Sequence, residues 1–87
     1  EWAHKFCKKT PVLMMHGTAD WRVTVKESLN LSGKLYEAKI PHRLVVFEGA
    51  DHSITEFRAE RRAMTREWFD RFVRDGAPLP NLRPHGG

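Results

Sequence analysis

Two short apolar runs, each followed by a polar turn that contains glycine, constrain the fold of this chain most. The first run covers residues 12–15 (VLMM) and leads into HGTAD at 16–20, and the second covers residues 44–47 (LVVF) and leads into EGADH at 48–52. Continuous runs of this length are typical of strands buried on both faces of a parallel sheet. Because parallel strands end at one edge of their sheet, we expect Asp20 and His52 to lie at the same edge.

The segments after the two turns carry the signals of helices. Thr24 and Glu27 have the spacing of a capping box, and Ser53 and Glu56 repeat it. Apolar side chains then recur at helical spacing, which predicts one amphipathic helix after each strand. The predicted stripes are Val25, Leu29, Ser32, Leu35 and Tyr36 in the first helix, and Phe57, Met64, Trp68, Phe69, Phe72 and Val73 in the second.

The resulting fold class is α/β, a βαβα unit with parallel strands. We divide the chain into a lead segment at 1–10, this unit at 11–75 and an extended tail at 76–87. Two buried strands alone would leave two exposed edges, which favours association. The sequence also starts without methionine, so we expect a C-terminal fragment of a larger domain, and we expect the isolated chain to form a homo-oligomer.

Composition narrows the function classes. The formal net charge is +4, but glutamates are interspersed among the arginines at 58–66, which indicates a solvated helix face and predicts no nucleic-acid partner. No run of about 18 apolar residues predicts a membrane span. One cysteine, Cys7, cannot form an internal disulfide, so we expect a cytoplasmic location and read Cys7 as a small apolar side chain.

An acid followed by a histidine fits two members of a nucleophilic catalytic triad. Asp20 would orient one ring nitrogen of His52, and the other nitrogen would take a proton from the nucleophile. In α/β hydrolases the order along the chain is nucleophile, acid, histidine, which agrees with the order here. The nucleophile itself is missing, because the 87 residues contain no G-x-S-x-G sequence.

The two turns carry a family resemblance. The sequence HGTADWRV at 16–23 fits the pattern His-Gly-x-x-Asp-x-x-Val, and GADH at 49–52 fits Gly-x-x-His. In this order and spacing they resemble the C-terminal part of the prolyl oligopeptidase family of serine peptidases, which includes dipeptidyl and acylaminoacyl peptidases, over about residues 8–75. The resemblance implies an α/β-hydrolase fold, with Asp20 as the triad acid and His52 as the base. Trp21 stands where a second Asp is common, and Ser53 where Gly is common.

The resemblance also sets our expectations about activity. We expect the parent protein to be a serine-type hydrolase, most simply a peptidase acting on peptides, with no cofactor and no metal. An esterase acting on acyl esters with the same triad, and a non-enzymatic truncated module kept for association, stay open as alternatives. The isolated chain should be inactive, because it lacks the serine.

Several residues in and beside the two turns have simpler interpretations than a catalytic one. Asp51 is the rival acid, although as the neighbour of His52 it should point elsewhere. We expect Arg22 to tie the turn by an ion pair and His16 to support the loop, whereas Trp21 either lines a pocket or covers the turn. A metal site built from His16, Asp20 and His52 has no support in the spacing of these residues.

Overall fold

A computed structural model describes residues 10–86 of the chain. The elements follow in the order β1 (Val12–Gly17), α1 (Val25–Glu37), β2 (His42–Phe47), a 3₁₀ turn (Thr55–Phe57), α2 (Arg58–Phe69) and a π-helical turn (Asp70–Arg74). The predicted βαβα order is therefore confirmed. Cys7 and nearly all of the predicted lead segment lie outside the described residues.

The two strands pair in parallel, as predicted. Val12 lies opposite His42 and Gly17 lies opposite Phe47, so the register has no offset or bulge. The prediction that both strands are buried on both faces is wrong for this chain. Most positions of β1 are only half-buried, and Val46 of β2 is 41% exposed. The described residues supply too little structure to cover both faces of the sheet.

The inward face of α1 differs from the predicted stripe. Leu35 is buried, but Leu29 and Tyr36 are 53% and 78% exposed. The helix turns Ser28 inward, outside the predicted stripe, together with the predicted Ser32, and each hydroxyl bonds to a histidine ring. Hydrogen bonding, rather than the apolar pattern alone, therefore sets the rotation of this helix.

Neither predicted capping box forms. Thr24 does precede α1, but its side chain makes no capping hydrogen bond. Before α2 the role predicted for Ser53 belongs to Asp51, whose carboxylate accepts hydrogen bonds from Thr55 N–H at 3.0 Å and Thr55 O–H at 3.1 Å. The backbone N–H of Asp51 donates to Glu56 Oε1 at 3.2 Å, which closes the reciprocal pair. The Thr55 N–H, above all, holds the pKa of Asp51 below its ordinary value of 3.8.

The core lies beneath the second turn. Phe47, Ala50 and Ile54 form its buried cluster, and the rings of Phe47 and Phe57 pack with centroids 5.1 Å apart. Three further apolar side chains pack against it: Met15, Val45 and Met64. This cluster joins both strands to the start of α2 and so fixes the turn that carries His52.

The contact of α2 with the sheet continues toward its carboxyl end. The guanidinium of Arg43 on β2 lies 5.2 Å from the ring centroid of Trp68, and Trp68 packs edge-on against Phe72 at 4.8 Å. The predicted stripe is wrong at Phe69 and Val73, which are 54% and 65% exposed. Trp68 and Phe72 are half-buried and make this contact, whereas Phe69 and Val73 face mostly solvent.

No helix within residues 10–86 has both the length and the apolar character needed to cross a membrane.

Candidate active site

The turns that follow β1 and β2 are hydrogen-bonded to each other. Thr18 N–H donates to the Phe47 carbonyl at 3.0 Å, and Ala19 N–H donates to the Ala50 carbonyl at 2.9 Å. In return, Gly49 N–H donates to Thr18 Oγ1 at 2.6 Å. These three bonds extend the parallel pairing beyond the strands and hold the two turns in a fixed relation.

Gly17 permits this close approach. A Cβ atom at this position would lie 2.2 Å from the Ala50 carbonyl oxygen and 2.6 Å from the Asp51 carbonyl oxygen. No side chain fits there without moving one turn away from the other. The glycine at the end of β1 is therefore a requirement of the site and not only of the turn.

Asp20 and His52 meet at this edge of the sheet. His52 Nδ1 donates to Asp20 Oδ2 at 2.8 Å, although the two residues lie 32 positions apart in the chain. The carboxylate is almost fully buried, with 4% of its side chain exposed, whereas 49% of the His52 side chain is exposed. A buried acid thus fixes the inner nitrogen of an imidazole whose outer part faces solvent.

The other oxygen of Asp20 is bound to its own turn. Oδ1 accepts the backbone N–H of Arg22 at 2.9 Å and of Val23 at 3.0 Å. Burial raises the pKa of Asp20, but the hydrogen bonds from Val23 N–H, the His52 ring and Arg22 N–H together outweigh it. The pKa of this carboxyl therefore lies below its ordinary value of 3.8, and Asp20 is ionised at neutral pH.

The hydrogen bond to Asp20 also defines the tautomer of His52. A carboxylate can only accept, so Nδ1 carries the proton and Nε2 of the neutral ring has a free lone pair. Among residues 10–86, no group makes a hydrogen bond to His52 Nε2. The ring is therefore oriented as a base whose proton acceptor points away from its acid.

The structure shows what Asp51, Arg22 and Trp21, the other candidates near the two turns, contact. Asp51 bonds to Thr55 at the start of the second helix and not to His52. The predicted ion pair of Arg22 is wrong within the described chain, because its guanidinium stacks over the Trp21 ring at 5.4 Å from the centroid. Trp21 is 81% exposed, so it projects from the turn and does not cover it.

A cleft of about 320 Å³ lies beside the pair. Its walls come from β1, the first turn, α1 and His52: Met15, His16, Asp20, Val23, Glu27, Ser28, Leu31 and His52. A larger depression of about 820 Å³ runs along α2, but none of the site residues lines it and its arginines alternate with acidic side chains. We place the candidate site at the smaller cleft, because only this one holds the acid and the histidine.

Sequence reasoning missed two residues of the cleft wall, Leu31 and the polar Ser28. The Oγ of Ser28 lies 2.6 Å from Nδ1 of His16, whose Nε2 bonds to the Val23 carbonyl at 2.6 Å. The expected role of His16 as a support of the loop agrees with these contacts. Ser28 was detectable in principle, since it stands seven positions before the buried Leu35 and so lies on the same helix face.

No set of three or more His, Cys, Asp or Glu side chains in the described part of the chain is arranged to hold a metal ion.

The comparisons with known proteins agree with the resemblance of the two turns. The model of the prolyl oligopeptidase family matches residues 1–75. The chain belongs to the prolyl oligopeptidase family. A rat protein named acylamino-acid-releasing enzyme is 36% identical over 52 residues, which make up 60% of this chain but only 7% of that protein. No solved structure matches the chain.

Proposed function

We propose that this chain supplies the acid and the base of a Ser-Asp-His triad in a serine peptidase with an α/β-hydrolase domain. The hydrogen bond from His52 Nδ1 to Asp20 Oδ2 at 2.8 Å carries the proposal. The bond joins the turns after two adjacent parallel strands, which is where α/β sheets collect their catalytic groups. The proposed serine comes from outside the 87 residues, which contain no G-x-S-x-G sequence.

The geometry suits a general base. Asp20 would hold the ring in the Nδ1–H tautomer and stabilise the imidazolium that forms when Nε2 takes the serine proton. His52 Nε2 would then return that proton to the leaving group, as the acyl–enzyme forms. The low pKa of Asp20 supports this division of roles, since the acid stays ionised throughout.

The name of the rat relative suggests a substrate class for testing. We propose peptides or amino acids with an acylated amino terminus, whose amide bond to the next group is cleaved. The assay uses the natural protein that carries this sequence, with an N-acetyl amino acid p-nitroanilide as the substrate.

Substitutions of the pair test the proposal. Asp20→Asn and His52→Ala should each lower kcat by about 10⁴-fold, because each removes one function of the triad. His42→Ala is the matched control, since both nitrogens of that ring bond to Ser32 and Ile40, away from the pair. Unaltered turnover in either Asp20→Asn or His52→Ala contradicts the proposal. The 87-residue chain alone should give no turnover.

An esterase is the second candidate, because the same pair serves both reactions. Comparing the p-nitroanilide with the p-nitrophenyl ester of the same acyl group separates them. A peptidase cleaves both substrates, whereas ester cleavage without any anilide cleavage supports the esterase. A natural protein that leaves both substrates intact and reacts with no fluorophosphonate supports the non-enzymatic module.

A further inference from the structure

A second histidine lies behind the Asp20–His52 pair, where the proposed mechanism gives it no role. His16 stands near the end of β1 and is only 8% exposed, and both of its ring nitrogens are hydrogen-bonded. A buried imidazole with two short hydrogen bonds is a fixed part of the structure. Its two hydrogen-bond partners, Ser28 and Val23, show which part of the site His16 supports.

The partners define the proton positions on the His16 ring. The Val23 carbonyl can only accept a hydrogen bond, so Nε2 must carry the proton of the bond at 2.6 Å. Nδ1 of the neutral ring is then an acceptor, and the Ser28 hydroxyl donates to it at 2.6 Å. The Val23 carbonyl thereby selects the Nε2–H tautomer of His16, and the Ser28 hydroxyl on α1 satisfies the remaining ring nitrogen.

This tautomer connects His16 to the acid in two ways. Nε2 lies 3.4 Å from Asp20 Oδ2, which is the same oxygen that accepts the bond from His52. In addition, His16 holds the carbonyl of Val23, and the N–H of Val23 donates to Asp20 Oδ1 at 3.0 Å. One oxygen of the Asp20 carboxylate is therefore held by the backbone N–H groups of Arg22 and Val23, and the other accepts the bond from His52 with the His16 ring 3.4 Å away.

We propose that His16 is a positioning residue for the triad acid, held in place by its hydrogen bonds to Ser28 and to the Val23 carbonyl. The inference rests on the proposed function for its effect on catalysis, but not for its effect on the geometry of Asp20 and His52. His16 acts through Asp20 and touches no reacting atom. Loss of the His16 N–H would free the Val23 carbonyl and let the Asp20 carboxylate rotate away from His52.

The test compares two Ser–His pairs on the same helix. Ser28 bonds to His16 at 2.6 Å, and Ser32, one turn later, bonds to His42 Nε2 at 2.8 Å on the other strand. Ser28→Ala and Ser32→Ala each remove one half-buried hydroxyl from α1, so their effects on packing are matched. Only Ser28→Ala should disturb the acid. His16→Ala removes the support completely, and Ser28→Ala decides the question if that variant does not fold.

Two readouts on the natural protein that carries this sequence measure the effect. The first is kinetic: His16→Ala should lower kcat by about 10²-fold with KM unchanged, as expected for a misplaced catalytic group, and Ser28→Ala should give a smaller loss in the same direction. The second is ¹⁵N-histidine NMR: the fraction of His52 in the Nδ1–H tautomer should fall in both variants. Ser32→Ala should leave kcat and the His52 tautomer at their wild-type values.

Wild-type kcat and a wild-type His52 tautomer in folded Ser28→Ala and His16→Ala would overturn the inference, and equal losses in Ser28→Ala and Ser32→Ala would do so as well. These failures differ from a failure of the proposed function. If Asp20→Asn turns over normally, the proposed triad is wrong, while the NMR comparison still tests whether His16 positions Asp20. If Asp20→Asn is inactive and the His16 variant is fully active, only the positioning role is wrong.

Discussion

The most demanding prediction concerns Gly17, because one methyl group there should separate the acid from the histidine. In Gly17→Ala the new Cβ would lie 2.2 Å from the Ala50 carbonyl oxygen, where ordinary contact begins at 3.4 Å. The second turn must therefore retreat by about 1.2 Å, the difference between these two distances. A displacement of that size breaks a bond of 2.8 Å such as the one from His52 to Asp20.

The energetic cost has two parts. Overpacking of this kind costs about 1–3 kcal/mol. The same displacement weakens the Ala19–Ala50 bond at 2.9 Å, and a backbone hydrogen bond contributes about 1 kcal/mol. The free energy of unfolding should thus fall by about 2–4 kcal/mol, a large share of the stability of a small domain.

Gly33→Ala is the matched control, since a Cβ at Gly33 in α1 meets nothing within 4 Å. Alanine is the better helix former there, so this variant should gain about 0.5–1 kcal/mol. Urea unfolding followed by circular dichroism measures both changes, and ¹⁵N-histidine NMR reports whether His52 keeps its Nδ1–H tautomer. A Gly17→Ala protein with wild-type stability and a wild-type His52 tautomer would refute the reasoning.

Two further predictions concern acid pH and association. The pKa values of Asp20 and Asp51 are lowered in the folded chain. Both ionised carboxylates therefore stabilise the fold at pH values above 3.8, their ordinary pKa. This stabilisation is lost as the pH falls through the folded-state pKa values. Urea unfolding between about pH 5 and pH 3 should therefore show a steeper loss of stability in the wild type than in Asp20→Asn, and equal slopes would contradict the assigned cause. We also expect the isolated chain to dimerise, because within residues 10–86 each strand pairs along one edge only and Val46 is 41% exposed. Sedimentation equilibrium tests this, and a folded monomer at high concentration would contradict it.

The sequence predicted the strands and turns well because the signals there are local. A short apolar run followed by glycine specifies a strand end, and two such runs with a helix between them are joined most simply in parallel. Asp20 and His52 follow from that topology alone. The structure adds that Gly17 is needed where the two turns meet, which no single-strand pattern contains.

The sequence predicted the helix faces less well, because their rotation depends on partners elsewhere in the chain. Ser28 faces inward because its hydroxyl bonds to His16, and the apolar pattern left this serine out of the predicted stripe. Ser32, which the stripe did include, bonds to His42. Leu29 is exposed as a consequence.

For the helix that follows His52, the role predicted for Ser53 is taken by Asp51, the residue that was considered as a rival acid. The spacing of the predicted capping box did not reveal that Asp51 would bond to Thr55. Asp51, the rival acid by sequence position, thus stabilises the turn that carries His52.

The bond between Asp20 and His52 is the central claim, and ¹⁵N-histidine NMR of the ring of His52 tests it most directly. In the wild-type protein, the neutral ring of His52 should carry its proton on Nδ1, with a strongly deshielded Nδ1 proton that is lost in Asp20→Asn. A wild-type His52 in the Nε2–H tautomer, or a ring spectrum that Asp20→Asn leaves unchanged, would contradict the account.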